Sequence, residues 1–278
     1  MIPVGATPWL AIRIEPSGDR DAVIAALFVA GSQGVHEDGS DLVTQFPPGT
    51  DASPIEAAIR AVDPSAGITT SLAPAVDWTE WRASVRAHRL GKLTIAPPWL
   101  ADDSDPMQVV IDPAMAFGTG EHATTRGVVR LMQQLPTMPR LVADLGAGSA
   151  VLAISAARLG AERVIAFELD ADAIGNAEGN VAANGVGDIV HLVEGDAEIL
   201  LPLVAPVGLV LANIISSVLV GMLPTIHDSL APGGHAILSG ILVEEKESVL
   251  AQVGAGPWRV VSDDNEEGWW SVLLEHRL

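Results

Sequence analysis

Two acids and two glycines recur at a spacing that suits the binding of an adenosine-containing cofactor. In LVADLGAGSAVLAISAARLGAERVIAFE (141–168), an apolar run ends near Asp144, a turn contains Gly146 and Gly148, and a helical pattern follows; a second apolar run then ends at Glu168. Two apolar runs that flank a helical pattern predict a βαβ unit. In such a unit the turn and the second acid meet at the carboxyl edge of the sheet, where nucleotides bind.

The details of this turn favour S-adenosylmethionine over a dinucleotide. A dinucleotide fingerprint that starts at Gly146 needs a third glycine where the sequence has Val151. A carboxylate at Asp144 would repel a pyrophosphate, whereas S-adenosylmethionine carries an ammonium and a sulfonium group. Glu168 is placed for ribose hydroxyls in either cofactor. Asp196, after the third strand, suits either a contact to the adenine amino group or a helix N-cap.

Two further segments supply polar groups to the same edge. In IDPAMAFGTGEHATTRGVVRLM (111–132), a glycine-rich loop precedes a helix whose first turn contains Thr125. Hydroxyls in a first helical turn satisfy backbone N–H groups or contact a ligand. In LVLANIISSVL (209–219), a strand runs into Asn213, whose side-chain amide can accept a hydrogen bond from an incoming amine and orient its lone pair. The alternative role of Asn213 is a helix cap.

The residues after Asn213 favour an aliphatic amine as the methyl acceptor. Stacking on a flat base needs an aromatic side chain, but Ile214 and Ile215 follow Asn213 and the chain contains no tyrosine. Lysine has a reference pKa of about 10.4, so its ammonium group must lose a proton before it attacks a methyl group. His122, at a loop–helix junction, is the nearest candidate base, although a histidine there is more often a structural hydrogen-bonding group.

The elements that position these residues predict one α/β domain from about residue 108 to the end. Strand and helix patterns alternate, which indicates a parallel, doubly wound sheet. The last two strands are joined by DDNEEGW (263–269), which is too short for a parallel crossover, so we expect an antiparallel final strand. The predicted strands are 141–144, 163–168, 189–193, 207–212, 235–240, 257–262 and 270–275, and the predicted helices are 122–135, 150–160, 171–184, 216–230 and 243–252.

The first part of the chain predicts a separate small domain. Residues 8–72 show the order βαββαβ, with a hairpin turn at Asp38-Gly39 and a helix that is capped by Ser53 and continues with Pro54. This order matches a ferredoxin-like α+β domain. We predict three regions. Residues 1–75 form this small domain, and residues 108–278 form the α/β domain. Between them, residues 76–107 form a linker that contains a helix (77–90) and an extended segment (93–100).

Composition excludes several classes of protein. The chain has 278 residues, of which 49% are apolar and 18% charged, so it is globular rather than disordered. It has no cysteine, and its seven histidines lack ligand spacing, so we expect no metal site. No signal peptide or membrane-spanning run is evident, and we expect a cytoplasmic monomer without a membrane partner. The net charge of −20 disfavours direct nucleic-acid binding and suits a basic protein partner or simple solubility.

The motifs together resemble the PrmA-type methyltransferases, which modify ribosomal protein L11. DPAMAFGTGEHATT is similar to the family's DPG-L-AFGTG-x-HPTT loop, VADLGAGSAVLAISAARLGA to D-x-G-x-GSGILAIAA-x-x-LGA, and LANIISSVL to ANIL. LAPGGHAILSGIL, EEGWWSVLLEHR and an amino-terminal half with a W-x-x-W segment also agree. The resemblance therefore covers nearly the whole chain.

The resemblance implies a Rossmann-like seven-stranded class I methyltransferase sheet and an enzyme that uses S-adenosylmethionine. It implies methylation of lysine ε-amino or N-terminal α-amino groups of a ribosomal protein, which the amino-terminal domain recognises. Implied donor contacts are Thr125, Gly146, Glu168 and Asn213. The full predicted cofactor set adds Asp144, Gly148, Asp196, Phe117, Gly118 and Thr119, and the catalytic candidates are Asn213 and His122.

Three positions depart from the family pattern. Ala150 replaces a glycine, Glu121 a small residue and Ala123 a proline. We expect Ala150 to permit the tight approach of strand and helix. Glu121 adds charge near the predicted acceptor site, so the choice of substrate is what the resemblance leaves most open.

Three other functions stay open at this point. A small-molecule N-methyltransferase would share every donor residue. A nicotinamide-dependent dehydrogenase conflicts with Val151 and Asp144. A non-catalytic module would bind the donor without forming a product.

Overall fold

The chain folds into two compact units in a computed structural model. The structure describes residues 9–18, 20–32, 35–73, 85–102, 104–112 and 120–277. One unit lies within residues 1–84 and the other within 85–278. Within these described ranges, none of the helices has the length and apolar character needed to cross a bilayer.

The smaller unit is a four-stranded antiparallel sheet that shares one core with two helices. Its core contains the fully buried Ile12, Ile14, Leu27 and Ile59. The sheet order β2-β3-β1-β4 is that of a split βαβ, ferredoxin-like sheet. The elements are β1 (Trp9–Glu15), α1 (Arg20–Val29), β2 (Val35–Asp38), β3 (Asp41–Phe46), α2 (Ala52–Val62) and β4 (Gly67–Ala73).

Helix α2 begins earlier than the sequence pattern predicts. Asp51, rather than Ser53, caps it by accepting a hydrogen bond from the Ser53 N–H at 3.0 Å. Pro54 therefore lies at the third helical position instead of the first. A proline is tolerated there because the first four N–H groups of a helix have no intrahelical partner.

Part of the predicted linker belongs to the larger unit. A three-stranded sheet consists of β5 (His88–Leu90), β6 (Leu93–Ala96) and β7 (Gln108–Val110). The predicted helix over 77–90 is wrong for residues 85–90. Residues 85–87 are not helical, and 88–90 pair with β6 as a hairpin that places Leu90 and Ile95 in the core. Its earlier part, with Trp78 and Trp81, lies outside the described residues.

The larger unit contains the predicted Rossmann-like sheet of seven strands. The order is β10-β9-β8-β11-β12-β14-β13. Strands β8 to β12 pair in parallel, and β14 is antiparallel to both of its neighbours, as the short final connection predicts. The strands are β8 (Leu141–Leu145), β9 (Arg163–Glu168), β10 (Val190–Glu194), β11 (Val207–Asn213), β12 (Leu230–Leu242), β13 (Trp258–Glu266) and β14 (Trp269–His276).

The connection between the last two strands is tighter than predicted. The expected loop over 263–269 is a two-residue turn, in which Glu267 and Gly268 have φ values of 52° and 80°. Two positive φ values are those of a type I′ hairpin turn, whose twist matches the flanking strands. The acidic residues of this segment therefore lie mostly on a strand.

Helices cover both faces of the large sheet. Helices α3 to α5 pack on one face, and α6 to α8 pack on the other. The sequence pattern misses α6, because AEILLPLV is apolar almost throughout and contains Pro202, so it lacks helical periodicity. The helices are α3 (Ala123–Met132), α4 (Val151–Arg158), α5 (Ala171–Ala183), α6 (Ala197–Val204), α7 (Ser216–Ser229) and α8 (Lys246–Ala255).

The strand order places the predicted site residues at one edge. From β8 the chain continues to β9 and β10 on one side, and β11 then pairs with β8 on the other. The switch point of the sheet therefore lies between β8 and β11, and ligands bind outside the carboxyl ends of strands at such a point.

Candidate active site

The turn after β8 leaves its backbone open to a ligand. Gly146 and Gly148 have φ values of 74° and 52°, which favour glycine because it lacks a Cβ. A Cβ on Gly146 would lie 2.8 Å from the Ile214 side chain, so this turn and the residue after β11 approach closely. Ala150 is fully buried and has a φ of 64°. Alanine there permits the approach of strand and helix, at a backbone cost of about 1 kcal/mol.

Glu168, the last residue of β9, holds this turn. Its Oε2 accepts a hydrogen bond from the Gly148 N–H at 2.7 Å, and its Oε1 accepts one from the Asp170 N–H at 2.9 Å. Each carboxylate oxygen can accept a second hydrogen bond. Glu168 thus retains the capacity to accept bonds from two neighbouring hydroxyl groups.

Asp144, near the end of β8, is fully enclosed. We expected its carboxylate to face the cofactor crevice, but the side chain is 0% exposed. Its Oδ2 accepts a hydrogen bond from the Ala153 N–H at 3.0 Å, because the first turn of α4 has N–H groups without helical partners. Its Oδ1 is buried without a partner among the described residues. Burial raises the pKa of Asp144 to about 7. The hydrogen bond from Ala153 lowers the pKa and so opposes this effect, whereas the negative charge of Glu168 raises it further.

Asn213 ends β11 beside Thr125 of α3. The Asn213 Nδ2 lies 3.5 Å from the Thr125 Oγ1, and Thr125 is fully buried. Helix α7 has Ile215 at its N-cap position, so Asn213 does not cap it. The structure therefore excludes the helix-cap alternative for Asn213 and leaves its amide at the edge of the sheet.

His122 caps α3 and forms part of the same site. Its Nδ1 accepts from the Thr124 N–H at 3.4 Å and lies 2.8 Å from the Thr124 hydroxyl, which favours the tautomer protonated on Nε2. Its ring meets the Trp269 ring edge-to-face, with centroids 5.0 Å apart. Burial and the positive charge of Arg126 lower the pKa of His122, whereas the negative charge of Glu267 raises it and only partly offsets them. The imidazole is therefore mainly neutral at pH 7.

A cavity of about 630 Å³ opens beside Asn213. Ile214, Ile215, Val218 and Trp269 give it apolar walls, whereas Asn213 and Thr124 contribute polar atoms. Such a cavity suits an aliphatic chain that ends in a single polar group.

The other predicted cofactor residues divide into two groups. Asp196 caps α6 by accepting a hydrogen bond from the Glu198 N–H at 2.9 Å, so it has the capping role that the sequence left open, and its predicted contact to adenine stays a prediction. Phe117, Gly118 and Thr119 lie outside the described residues.

Glu121 contacts residues at the start of the larger unit. Its Oε1 accepts a hydrogen bond from the Arg86 N–H at 3.0 Å and lies 3.2 Å from the His88 Nε2. The carboxylate therefore joins β5 and the residues before it to the segment that precedes α3. The expectation that Glu121 adds charge beside the acceptor site stays a prediction.

Asn180 of α5 and Asn184, the C-cap of the same helix, support the site and were missed by the sequence analysis. Asn180 accepts a hydrogen bond from the Asp112 N–H at 2.8 Å and donates one to the Ser149 carbonyl at 3.0 Å. Asn184 accepts one from the Val110 N–H at 2.8 Å. The spacing of four residues places both amides on one helix face, which is the signal that could have identified them.

Arg126 was missed as well. Its side chain is 8% exposed and pairs with Glu266 at 3.0 Å and with Glu267 at 3.1 Å. Arg130 pairs with Asp264 and Glu266, each at 2.6 Å. These pairs fasten α3 to the β13–β14 hairpin, and they thereby fix the positions of the helix start and of the cavity wall on β14.

The residues present fit a positively charged donor that carries a ribose. Glu168 supplies acceptors for hydroxyls, and Gly146 leaves room where a Cβ would meet Ile214. The partnerless Oδ1 of Asp144 adds negative potential beside the turn. Asn213 and the apolar cavity lie at the same edge of the sheet. A methyl acceptor in this cavity would therefore lie next to a methyl donor at the turn.

Comparisons with known proteins agree on one family. A family model described as ribosomal protein L11 methyltransferase (PrmA) matches residues 14–277. A ribosomal protein L11 methyltransferase from Symbiobacterium thermophilum is 37% identical over 71% of this chain and 65% of its own length. The one from Synechococcus sp. is 30% identical over 99% of this chain and 100% of its own length. The chain thus spans about two thirds of the first relative and all of the second.

A solved structure supports the same likeness. The ribosomal protein L11 methylase from Lactobacillus delbrueckii subsp. bulgaricus superposes with a TM-score of 0.62 at 27% identity, and the match covers 70% of this chain and 100% of that protein.

Proposed function

Because this chain belongs to the PrmA family of ribosomal protein L11 methyltransferases, we propose that it transfers methyl groups from S-adenosylmethionine to lysine ε-amino or N-terminal α-amino groups of ribosomal protein L11. The observation that carries this proposal is the position of Asn213, which stands between the buried Thr125 and an apolar cavity at the switch point of the sheet. No aromatic side chain follows Asn213 to stack on a base.

The donor side of the site is the turn after β8. Glu168 accepts hydrogen bonds from the ribose hydroxyls while it continues to hold Gly148. Asp144 stabilises nearby positive charge from within the core, and Asp196 stands at the edge of the next strand for the adenine amino group. When bound, S-adenosylmethionine supplies an electrophilic methyl group on a sulfonium.

The acceptor side of the site favours a neutral amine. Enclosing an amine between Ile214, Ile215 and Trp269 removes water from it, and desolvation lowers the pKa of an amine because it disfavours the charged form. The amine then releases its proton more readily than in bulk water. Apolar walls also exclude water from the reacting atoms.

Asn213 orients the nucleophile. Its side-chain carbonyl accepts a hydrogen bond from the amine N–H, while its Nδ2 remains next to Thr125. Fixing this one bond directs the nitrogen lone pair along the line of attack. Orientation of this kind lowers the activation free energy of a reaction by several kcal/mol. His122 has its Nδ1 engaged by Thr124, so we assign it to capping and to the cavity wall rather than to proton transfer.

Methylation of purified ribosomal protein L11 by the wild-type chain, with mass mapping of the labelled positions, tests the proposed function. Replacing Asn213→Ala is expected to lower kcat at least about 100-fold, because orientation and one hydrogen bond are lost together. Binding of S-adenosylmethionine is expected to stay measurable, and calorimetric titration gives its Kd. The matched control is Asn265→Ala on the exposed side of β13. Unchanged turnover in Asn213→Ala would remove the role assigned to this residue.

A further inference from the structure

One half of the larger unit carries negative charge only. Between Arg163 and Lys246 the sequence has no lysine or arginine, whereas it has eleven aspartates and glutamates. Protein surfaces normally mix both signs. This stretch contains, in chain order, α5, β10, α6, β11, α7 and β12. A continuous part of the fold therefore has no lysine or arginine side chain.

Several of these acids lie at the carboxyl edge of the sheet. Asp170 and Asp172 follow β9, and Glu194 and Glu198 lie on either side of the loop after β10. All four are exposed, and in the described parts of the chain none of them pairs with a basic side chain. The two loops are joined, because the Gly195 N–H donates to the Glu168 carbonyl at 2.8 Å.

Large apolar side chains stand exposed among these acids. Leu169, Ile199 and Leu203 are 72%, 68% and 76% exposed. Ile199 and Leu203 are four residues apart on α6, so they form a ridge on one helix face. We call these three residues, together with the four acids, the α6 surface.

The α6 surface and the acceptor cavity lie on neighbouring helices. Helix α6 packs directly against α7 on the same face of the sheet. The start of α7 carries Ile215 and Val218, which line the cavity and are 66% and 48% exposed. A polypeptide whose amine enters the cavity can therefore extend across the start of α7 to α6.

We propose that the α6 surface binds a basic, amphipathic segment of the protein substrate next to the amine that is methylated. This proposal rests on the proposed function and adds a second contact region within the catalytic unit. Apolar side chains of the segment bury Leu169, Ile199 and Leu203, and its lysines or arginines pair with the surrounding carboxylates.

Charge complementarity selects this occupant over others. A second copy of the chain, bound through the same surface around a twofold axis, would set acid against acid. Nucleic acid and anionic lipid headgroups carry the same sign as the surface and are repelled. A cationic polypeptide gains both from ion pairing and from apolar burial.

The experiment compares two double variants with ribosomal protein L11 as substrate. Ile199→Ser with Leu203→Ser removes the ridge, and Glu194→Lys with Glu198→Lys reverses the local charge. Each is expected to raise KM about tenfold, which corresponds to about 1.4 kcal/mol, with kcat at saturation within about twofold of wild type. The charge-reversed variant is also expected to lose most of the salt dependence of KM.

Matched controls separate a local effect from a general one. Val260→Ser with Val261→Ser removes two exposed apolar residues elsewhere. Glu162→Lys with Asp188→Lys makes the same change in net charge at the amino edge of the sheet, where these two exposed acids precede β9 and β10. Both controls are expected to keep the wild-type KM. Thermal unfolding and the Kd for S-adenosylmethionine confirm that every variant is folded and binds its donor.

Three outcomes would overturn the proposal. The first is a KM that stays at the wild-type value in both surface variants. The second is a KM that rises as much in the control variants as in the surface variants. The surface variants can also lose self-association in sedimentation while KM stays constant, which would assign the surface to a second copy of the chain. If wild type itself methylates no L11 although it binds the donor, the proposed function fails instead, so the two failures are distinguishable.

Discussion

At the scale of single residues, the enclosed Asp144 carboxylate determines much of the character of the site. It is completely buried and makes one hydrogen bond, to the Ala153 N–H, while its other oxygen lacks a partner in the described structure. A buried carboxylate that is incompletely paired favours its neutral form. Its ionisation is therefore linked both to folding and to the binding of a cation next to the turn after β8.

This linkage predicts how stability depends on pH. Burial raises the pKa of Asp144 from its ordinary value of 3.8 to about 7 in the folded protein, so between these pH values the folded state holds a proton that the unfolded state releases. The contribution of this group to the free energy of unfolding is therefore full below about pH 4, declines as pH rises, and levels off above about pH 7. The Asp144→Asn variant mimics the neutral form, and its stability relative to wild type is expected to rise by roughly 2–3 kcal/mol between pH 5 and pH 8.

Urea denaturation at both pH values measures the difference. Asp172→Asn makes the same chemical change at an exposed position and serves as the matched control. A difference between Asp144→Asn and wild type that does not change with pH would contradict the assigned pKa. On the proposed function, the wild-type Kd for S-adenosylmethionine also rises below pH 7, because donor binding then requires Asp144 to lose its proton.

At the scale of elements, close backbone approaches and ion pairs bring four segments together around the cavity. Gly240 of β12 has a φ of 82° and lies against the backbone of Ile214, so β12 directly supports the residue after Asn213. On the other side, Arg126 joins the start of α3 to the hairpin that carries Trp269. The geometry of the site thus depends on contacts that are not themselves part of the chemistry.

Replacing Gly240→Ala is expected to destabilise the protein by about 3 kcal/mol, because a Cβ there would overlap with the Ile214 carbonyl and an L-residue is strained at this φ. Turnover should fall as well, since Ile214 can move only together with Asn213. Gly175→Ala on α5 is the control. Nothing lies within 4 Å of a Cβ there, so the higher helix propensity of alanine should stabilise the protein by about 1 kcal/mol. Equal effects of the two substitutions in chemical denaturation would disprove the steric argument.

Arg126→Met is expected to destabilise the protein by roughly 2–3 kcal/mol, because it removes a nearly buried guanidinium that pairs with both Glu266 and Glu267 and leaves Arg130 as the remaining partner of Glu266. Arg140→Met provides the comparison. Arg140 pairs with Glu162 at 2.6 Å, but the side chains are 83% and 57% exposed, so its loss should cost less than about 0.5 kcal/mol. Differential scanning calorimetry gives both values, and similar losses would show that the buried network has no special role.

At the scale of the whole molecule, the charge distribution suits a basic protein substrate. The net charge is −20, and the stretch without lysine or arginine lies beside the acceptor cavity. A negative potential around the cavity raises the local concentration of a cationic substrate and speeds its association.

This predicts that catalysis depends on ionic strength through the protein substrate. Raising NaCl from about 50 mM to about 300 mM is expected to increase KM for ribosomal protein L11 about tenfold, because salt screens charges separated by more than a Debye length. The Kd for S-adenosylmethionine should change far less, since its contacts are local. Steady-state kinetics at several salt concentrations measure the effect, and a KM that does not respond to salt would contradict electrostatic steering.

The sequence by itself determined the seven strands of the large sheet in chain order, the antiparallel last strand and the meeting of Gly146, Glu168 and Asn213 at one edge. Hydrophobic periodicity is local, and the ends of parallel strands lie together whatever the side chains are. The same local reasoning failed where periodicity was absent, as in α6, or where the partner strand decided the conformation, as in β5.

Only the tertiary structure decided which distant groups meet. Arg126 pairs with Glu266, 140 residues further along the chain, and Asn180 binds segments that lie 68 and 31 residues before it. Glu121 contacts His88 of β5, 33 residues before it, and Asp144 is enclosed rather than open to the crevice. The cause is common to all four residues. A polar side chain takes the direction in which packing leaves it a partner, and that direction depends on neighbours that no local pattern specifies.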